Sequence, residues 1–391
     1  MKLAACALIG LAFLTPPSGR PPVGPLERYD PRIYDIRYEV TLSTDKFHEP
    51  KIQPGDPDRG IQPRLRQRPP FDLADAVIMM PLIYQGTYSR MDQDSLAGQL
   101  WLQHRQDPTL NERSRIEEGL PFHTHLAVIP IEKFFGRNLR WSIGFRVRVF
   151  SSRINDEAAE RIAWPREWPE EVQDGLKPQT FIESDHEIFK QTVERVSEGR
   201  LRLVPPYLAA KDLVRYCVNE LQVYGDGLDR GEFGVLRGLE MSGALTAAQS
   251  GRGTAHDLVC VCVAILRAAN IPARPVIGIY EDDEDRDVLV SWAEFYLPDA
   301  GWIPFDPDEM RGKAIQSRSV HEPWPEFGTM KRLNRRIPLA YHFIPPVTAE
   351  SPLRPAVWGW DPRPSGPPYV EQRINISIVS RGHLQPPQPR Q

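Results

Sequence analysis

The residues able to do chemistry are concentrated in GRGTAHDLVCVCVAILRAANIPAR, Gly251 to Arg274, and in two short runs downstream. His256 and Asp257 stand side by side, followed by Cys260 and Cys262. In LVSWAEFYL, Trp292 and Glu294 are two apart, so a strand presents both on one face. GWIPFDP ends in Asp306 and Pro307. An imidazole such as His256, paired with the carboxylate of Asp257, Glu294 or Asp306, could take up a proton in catalysis. It could equally be a structural group near a helix start. A cysteine becomes a nucleophile where its thiolate is favoured, as at an accessible helix N-terminus. The helix expected here denies that to both thiols. At about 100° and 1.5 Å per residue, Cys260 lies about 140° away from the face of Ala255, and Cys262 returns to that face only roughly 10 Å down the axis. Both are expected to act as small buried apolar groups. Asp306 before proline also suits a turn, and Trp292 suits a core.

The other constellations are sparse. His123 and His125 share one face of a strand, but no third ligand accompanies them, so they read as a surface pair. The acidic run Glu281 to Asp287 lacks the spaced ligands and glycine of a calcium loop and reads as a solvated hairpin tip. There is no phosphate-binding glycine loop and no Gly-x-Ser-x-Gly elbow. No metal and no cofactor are expected.

The elements that must position these residues follow from periodicity. AHDLVCVCVAILRAAN is too long and too rich in Ala and Leu for an ordinary strand and reads as a buried helix, closed by Asn270 and Pro272. RPVIGIYED and LVSWAEFYL read as strands, and GWIPFDP ends a third. Before them, YLAAKDLVRYCVNELQVYG carries apolar residues at helical spacing. Residues 206–310 are thus one α+β unit. Upstream, YDIRYEVTLS, AVIMMPLIYQGTYS, THLAVIPIE and LRWSIGFRVRVFSS alternate with period two, which predicts an all-β, sandwich-like domain over 28–152. Residues 153–205 read as a charged, proline-rich connector with one helix in HEIFKQTVERVSEG. Residues 311–391 read as a Pro-rich C-terminal extension with one strand, RINISIVSR.

The chain is 391 residues long, 41% hydrophobic and 26% charged, enough for two ordinary cores. A formal net charge of -4 offers no electrostatic footprint for nucleic acid. Four cysteines at uneven spacing give no disulfide framework. Residues 1–20 combine Lys2 with an apolar run from Leu3 to Leu14 and then Pro, Ser and Gly, the pattern of a signal peptide. The expectation is an exported protein (periplasmic, envelope or secreted) that meets a membrane only if this segment is retained.

Taken together, Gly253 to Asp257, Ile271 to Arg274, Trp292 to Glu294 and Gly301 to Pro307 resemble, in order and spacing, the transglutaminase-like family of papain-type cysteine enzymes. The resemblance implies a transglutaminase-like core and a catalytic Cys, His and Asp. The Cys position falls on Ala255, the His position on Val290 and the Asp position on Asp306. Two of the three chemical roles are thus vacant, leaving His256, Asp257, Trp292, Glu294 and Asp306 as candidates to line an inherited cleft. The resemblance then implies a pseudoenzyme that binds a peptide or protein segment in that cleft. Two alternatives stay open: a hydrolase of altered mechanism using His256, Asp306 and a water, and a structural envelope component.

Overall fold

The computed structural model describes residues 24–383 except 46–51, 54–63, 66–67, 232–233, 282–286, 314, 352–353 and 368. Residues 1–20, where a signal peptide is expected, and most of the acidic run therefore lie outside the described residues. In chain order the principal elements are β1 (Leu26–Ser43), β2 (Phe71–Leu82), β3 (Ser89–Leu102), β4 (Arg115–Leu120), β5 (Thr124–Gly136), β6 (Asn138–Ile154), α1 (Glu187–Ser197), α2 (Pro206–Glu220), α3 (Ala244–Ser250), α4 (Ala255–Ala268), β7 (Ala273–Tyr280), β8 (Val288–Leu297), β9 (Gly301–Phe305), α5 (Pro307–Arg311), β10 (Arg336–Ala340), β11 (Gly359–Asp361) and β12 (Glu371–His383).

The alternation in the first third of the chain builds a two-sheet sandwich. Tyr34, Ile36, Tyr38, Val40 and Leu42 of β1 are buried, while the intervening positions carry polar and charged side chains such as Asp35 and Arg37, as a half-buried antiparallel strand requires. One sheet runs β12-β1-β6-β3, with a two-residue strand, Arg105–Gln106, at its edge; the other runs β11-β2-β5-β4. The expected β domain is therefore present, but it does not end near residue 152. β12 pairs with β1 from Arg32↔His383 to Ser43↔Glu371, and β11 pairs with β2. The segment 311–391 is not an extension with one strand. It closes the free edge of β1, adds a strand to the second sheet, and contributes β10 to the α+β unit. The stretch 153–205 is also more than a connector, because α1 buries Phe189 and Val193 in the main core and Trp168 Nε1 donates to the Asn270 carbonyl at 2.9 Å.

In the α+β unit an antiparallel sheet, β9-β8-β7-β10, lies between α4 and the sandwich. α4 is buried along nearly its whole length. A capping box sets its start: Thr254 accepts from the Asp257 N–H while the Asp257 side chain accepts from the Thr254 N–H. Its end is set by Asn270 in the left-handed region (φ 57°) and by the Ile271 N–H donating back to the Leu266 carbonyl at 2.9 Å. Leu289, Ala293, Phe295 and Leu297 of β8 join the core that contains α4. Val276 and Trp292 face the opposite way, packing with Ile83, Tyr88, Met330, Leu333 and Tyr341, and Val290 leans on the same cluster. Among the described residues no helix is long and apolar enough to cross a membrane.

Candidate active site at the start of α4

Ala255, the first residue of α4, is partly exposed and brings only a methyl group to the helix N-terminus. Asp257, two residues on, is fully buried and fully engaged. Its Oδ1 accepts from the N–H groups of Ser242 (2.7 Å) and Gly243 (2.8 Å), and its Oδ2 accepts from the Thr254 N–H (2.9 Å). This carboxylate caps backbone rather than orienting His256.

His256 is 2% exposed. Its Nδ1 lies 2.7 Å from the Ser291 hydroxyl, and its Nε2 is buried against the Gly227 backbone with no side-chain partner among the described residues. The ring is covered by Gly227, which sits in the left-handed region at φ 71°; a Cβ there would lie 2.5 Å from His256 Cδ2. Burial lowers the imidazole to a pKa of about 4, outweighing the opposite pull of Asp257, the Gly227 backbone, Asp226 and Asp306. At neutral pH the ring is uncharged.

The pleat of β8 decides which of the other candidates reach this ring. Motif spacing assigns the imidazole position to Val290, yet Ser291 is the residue of β8 that meets His256. Val290, Trp292 and Glu294 lie on the sandwich side of the sheet, so Trp292 and Glu294 share a face, as expected, but not a cleft with His256. Glu294 is buried, and its Oε2 accepts from both Nε (2.8 Å) and Nη2 (2.6 Å) of its cross-strand neighbour Arg274. That guanidinium in turn stacks 3.7 Å from the Tyr341 ring and 4.1 Å from Trp302. Burial raises the Glu294 carboxyl despite Arg274.

Asp306 serves the turn that its Asp-Pro sequence suggested. It caps α5, accepting from Asp308 N–H and Glu309 N–H at 3.0 Å each, and pairs with Arg336 at 2.5 Å. It makes no hydrogen bond to His256, so the His256–Asp306 pair required by the water-based alternative does not form. Cys260 and Cys262 are inaccessible within α4, and burial pushes both thiols well up. Cys217 of α2 is buried too. His123 is exposed, and His125 stacks on Tyr84 with ring centroids 4.3 Å apart; among the described residues no three ligands converge as a metal site.

The structure thus joins Ala255 and His256 to one residue the sequence did not single out, Ser291. The available signal was its polarity: it is the one hydroxyl in a row, Leu289 to Leu297 by twos, that is otherwise apolar. The assembly offers a helix N-terminus, a neutral imidazole and a hydroxyl, with no thiol.

Over the full fold, the chain is similar to the crystal structure of a candidate cysteine protease from Cytophaga hutchinsonii, with TM-score 0.52, 12% identity, and 91% of this chain and 93% of that chain covered. The periplasmic domain of TgpA from Pseudomonas aeruginosa aligns with TM-score 0.31 and 14% identity over 74% of this chain and 91% of that one. No curated protein matches the sequence. The stretch 205–307, which holds α2, α4 and β7 to β9, matches the transglutaminase-like superfamily, and these residues are a transglutaminase-like domain.

Proposed function

We propose that the chain does not carry out thiol-based acyl transfer and acts by binding a peptide or protein segment, such as one bearing Gln or another amide, at the N-terminal end of α4. The observation that carries this reading is the methyl of Ala255 at the helix start, with every described cysteine buried elsewhere. Acyl transfer by this route needs a thiolate and a proton carrier within hydrogen-bond reach. Buried thiols whose ionisation is suppressed supply neither access nor thiolate. The cap on α4 is in place and Ala255 beside it is partly exposed, so a ligand's polar groups would meet the helix terminus there. In this reading the apolar run Leu3 to Leu14 directs export, nucleic acid is not a partner, and no cofactor takes part.

The test is ammonia release and amine incorporation with a Gln-containing peptide, alongside anisotropy of the same peptide carrying a fluorophore. The unmodified chain is expected to bind without turnover, and an Ala255→Cys/Ser291→His double variant to gain turnover. Thiol-blocked turnover by the unmodified chain, or absence of peptide binding, would overturn the proposal.

A further inference from the structure

We propose that Ser291, paired with His256 at the start of α4, is a nucleophile that accepts an acyl group from an activated ester and retains it as a serine ester. The inference rests on the reading that ligands reach this end of α4, but not on their being peptides.

Three observations carry it. First, Ser291 is partly exposed, whereas the ring it contacts is buried. Second, the hydroxyl lies 2.7 Å from a nitrogen of a ring that is neutral at pH 7 and so can take its proton. Third, that hydroxyl is the ring's only side-chain hydrogen-bond partner among the described residues, the Gly227 backbone lying against the other nitrogen. The proton-accepting tautomer, with hydrogen on Nε2, leaves Nδ1 free for the hydroxyl.

The step balances within the pair. The Ser291 Oγ–H proton passes to Nδ1 as Oγ bonds to the acyl carbon. The bond from that carbon to the leaving alkoxide breaks, and Nδ1 returns the proton to the leaving oxygen. During transfer the ring is an imidazolium, and the negative field of Asp257, Asp226 and Asp306 favours that charge. The Ala255 and His256 N–H groups make no hydrogen bond among the described residues and mark the positive end of α4, where an oxyanion is stabilised.

The experiment exposes the full chain to p-nitrophenyl acetate at pH 7.5 and follows it by intact mass and peptide mapping. One acetyl group is expected per chain, on Ser291. Ser291→Ala, which takes a hydrogen-bond partner from His256, should remain folded by circular dichroism and lose the adduct. His256→Asn should acylate more slowly by about 10² or more. Should His256→Asn fail to fold, Ser291→Cys replaces it, and iodoacetamide is expected to alkylate position 291 while leaving Cys217, Cys260 and Cys262 unmodified in the native chain. No adduct, an adduct elsewhere, His256→Asn acylating as fast as the unmodified chain, or Ser291→Cys resisting alkylation would each overturn the proposal. An adduct without peptide binding sinks only the peptide reading; peptide binding without an adduct sinks only this one.

Discussion

Gly227→Ala measures how firmly the site is closed over His256. Gly227 holds φ 71°, and an added Cβ would come within 2.5 Å of His256 Cδ2 and 2.8 Å of Nε2. The left-handed backbone costs an alanine about 1–2 kcal/mol. Overpacking adds about 1–3 kcal/mol unless the neighbour can move. It cannot move freely: the ring is tied to Ser291, and its backbone belongs to the capped first turn of α4. Reduced freedom of the unfolded chain returns about 0.4–1 kcal/mol. The net loss expected is about 3 kcal/mol, read as a shift in the guanidinium midpoint by far-UV circular dichroism. The steric share is separable, because removing the ring by His256→Ala should leave only the backbone share of the Gly227→Ala cost. A double-mutant cycle should therefore return a coupling of about 1–3 kcal/mol. A Gly227→Ala loss below about 0.5 kcal/mol, or sites that simply add, would refute the contact and with it the closed imidazole.

Two further outcomes follow from buried groups and long-range pairing. Burial lowers His256 to about 4 and His342 to about 3, from an ordinary 6.5, so the unfolded chain binds these protons first as the solution is acidified. Their contribution is complete above pH 6.5 and is lost as pH falls toward the folded values; for His256 alone it is about 3 kcal/mol. Denaturation midpoints at pH 7, 6 and 5 should fall in sequence and fall less in His256→Asn, whereas midpoints unchanged from pH 7 to 5 would contradict the buried neutral rings. Ending the chain at Val370 removes β12 and bares the edge of β1 from Arg32 to Ser43, so the truncated protein should aggregate or fail to fold. A soluble, monomeric truncation with native circular dichroism would show that β12 is dispensable.

How far the sequence could be read depended on whether a feature left a local trace. α4 did, through its length, its Ala and Leu content and the residues that close it, and helical geometry correctly buried Cys260 and Cys262. β1 and β6 did, through alternation. The strand in RINISIVSR was legible too, but its partner lies more than 300 residues away, and periodicity says nothing about pairing. Its neighbours were hidden differently: β10 contains Pro338, and β11 is only three residues long. The shift toward Pro and Trp after residue 311 suggested a tail, yet Ala356, Val357 and Trp358 are completely buried, and Trp358 packs edge-on to Trp141 at 5.6 Å.

At the site the missing information was a sign. Period two states that Val290, Trp292 and Glu294 share one face of β8 and Leu289, Ser291 and Ala293 the other, but not which face meets α4. Hydrophobicity could not decide, because β8 is covered on both sides. Polarity could have decided. A buried Glu294 requires a cation, and Arg274 stands across from it on β7 with its guanidinium among aromatic rings. That pair has to point away from a helix that offers it no further partner, its buried polar groups being engaged elsewhere. Once Glu294 is turned toward Arg274 and the sandwich, the alternation leaves Ser291 facing α4, one hydrogen bond from His256.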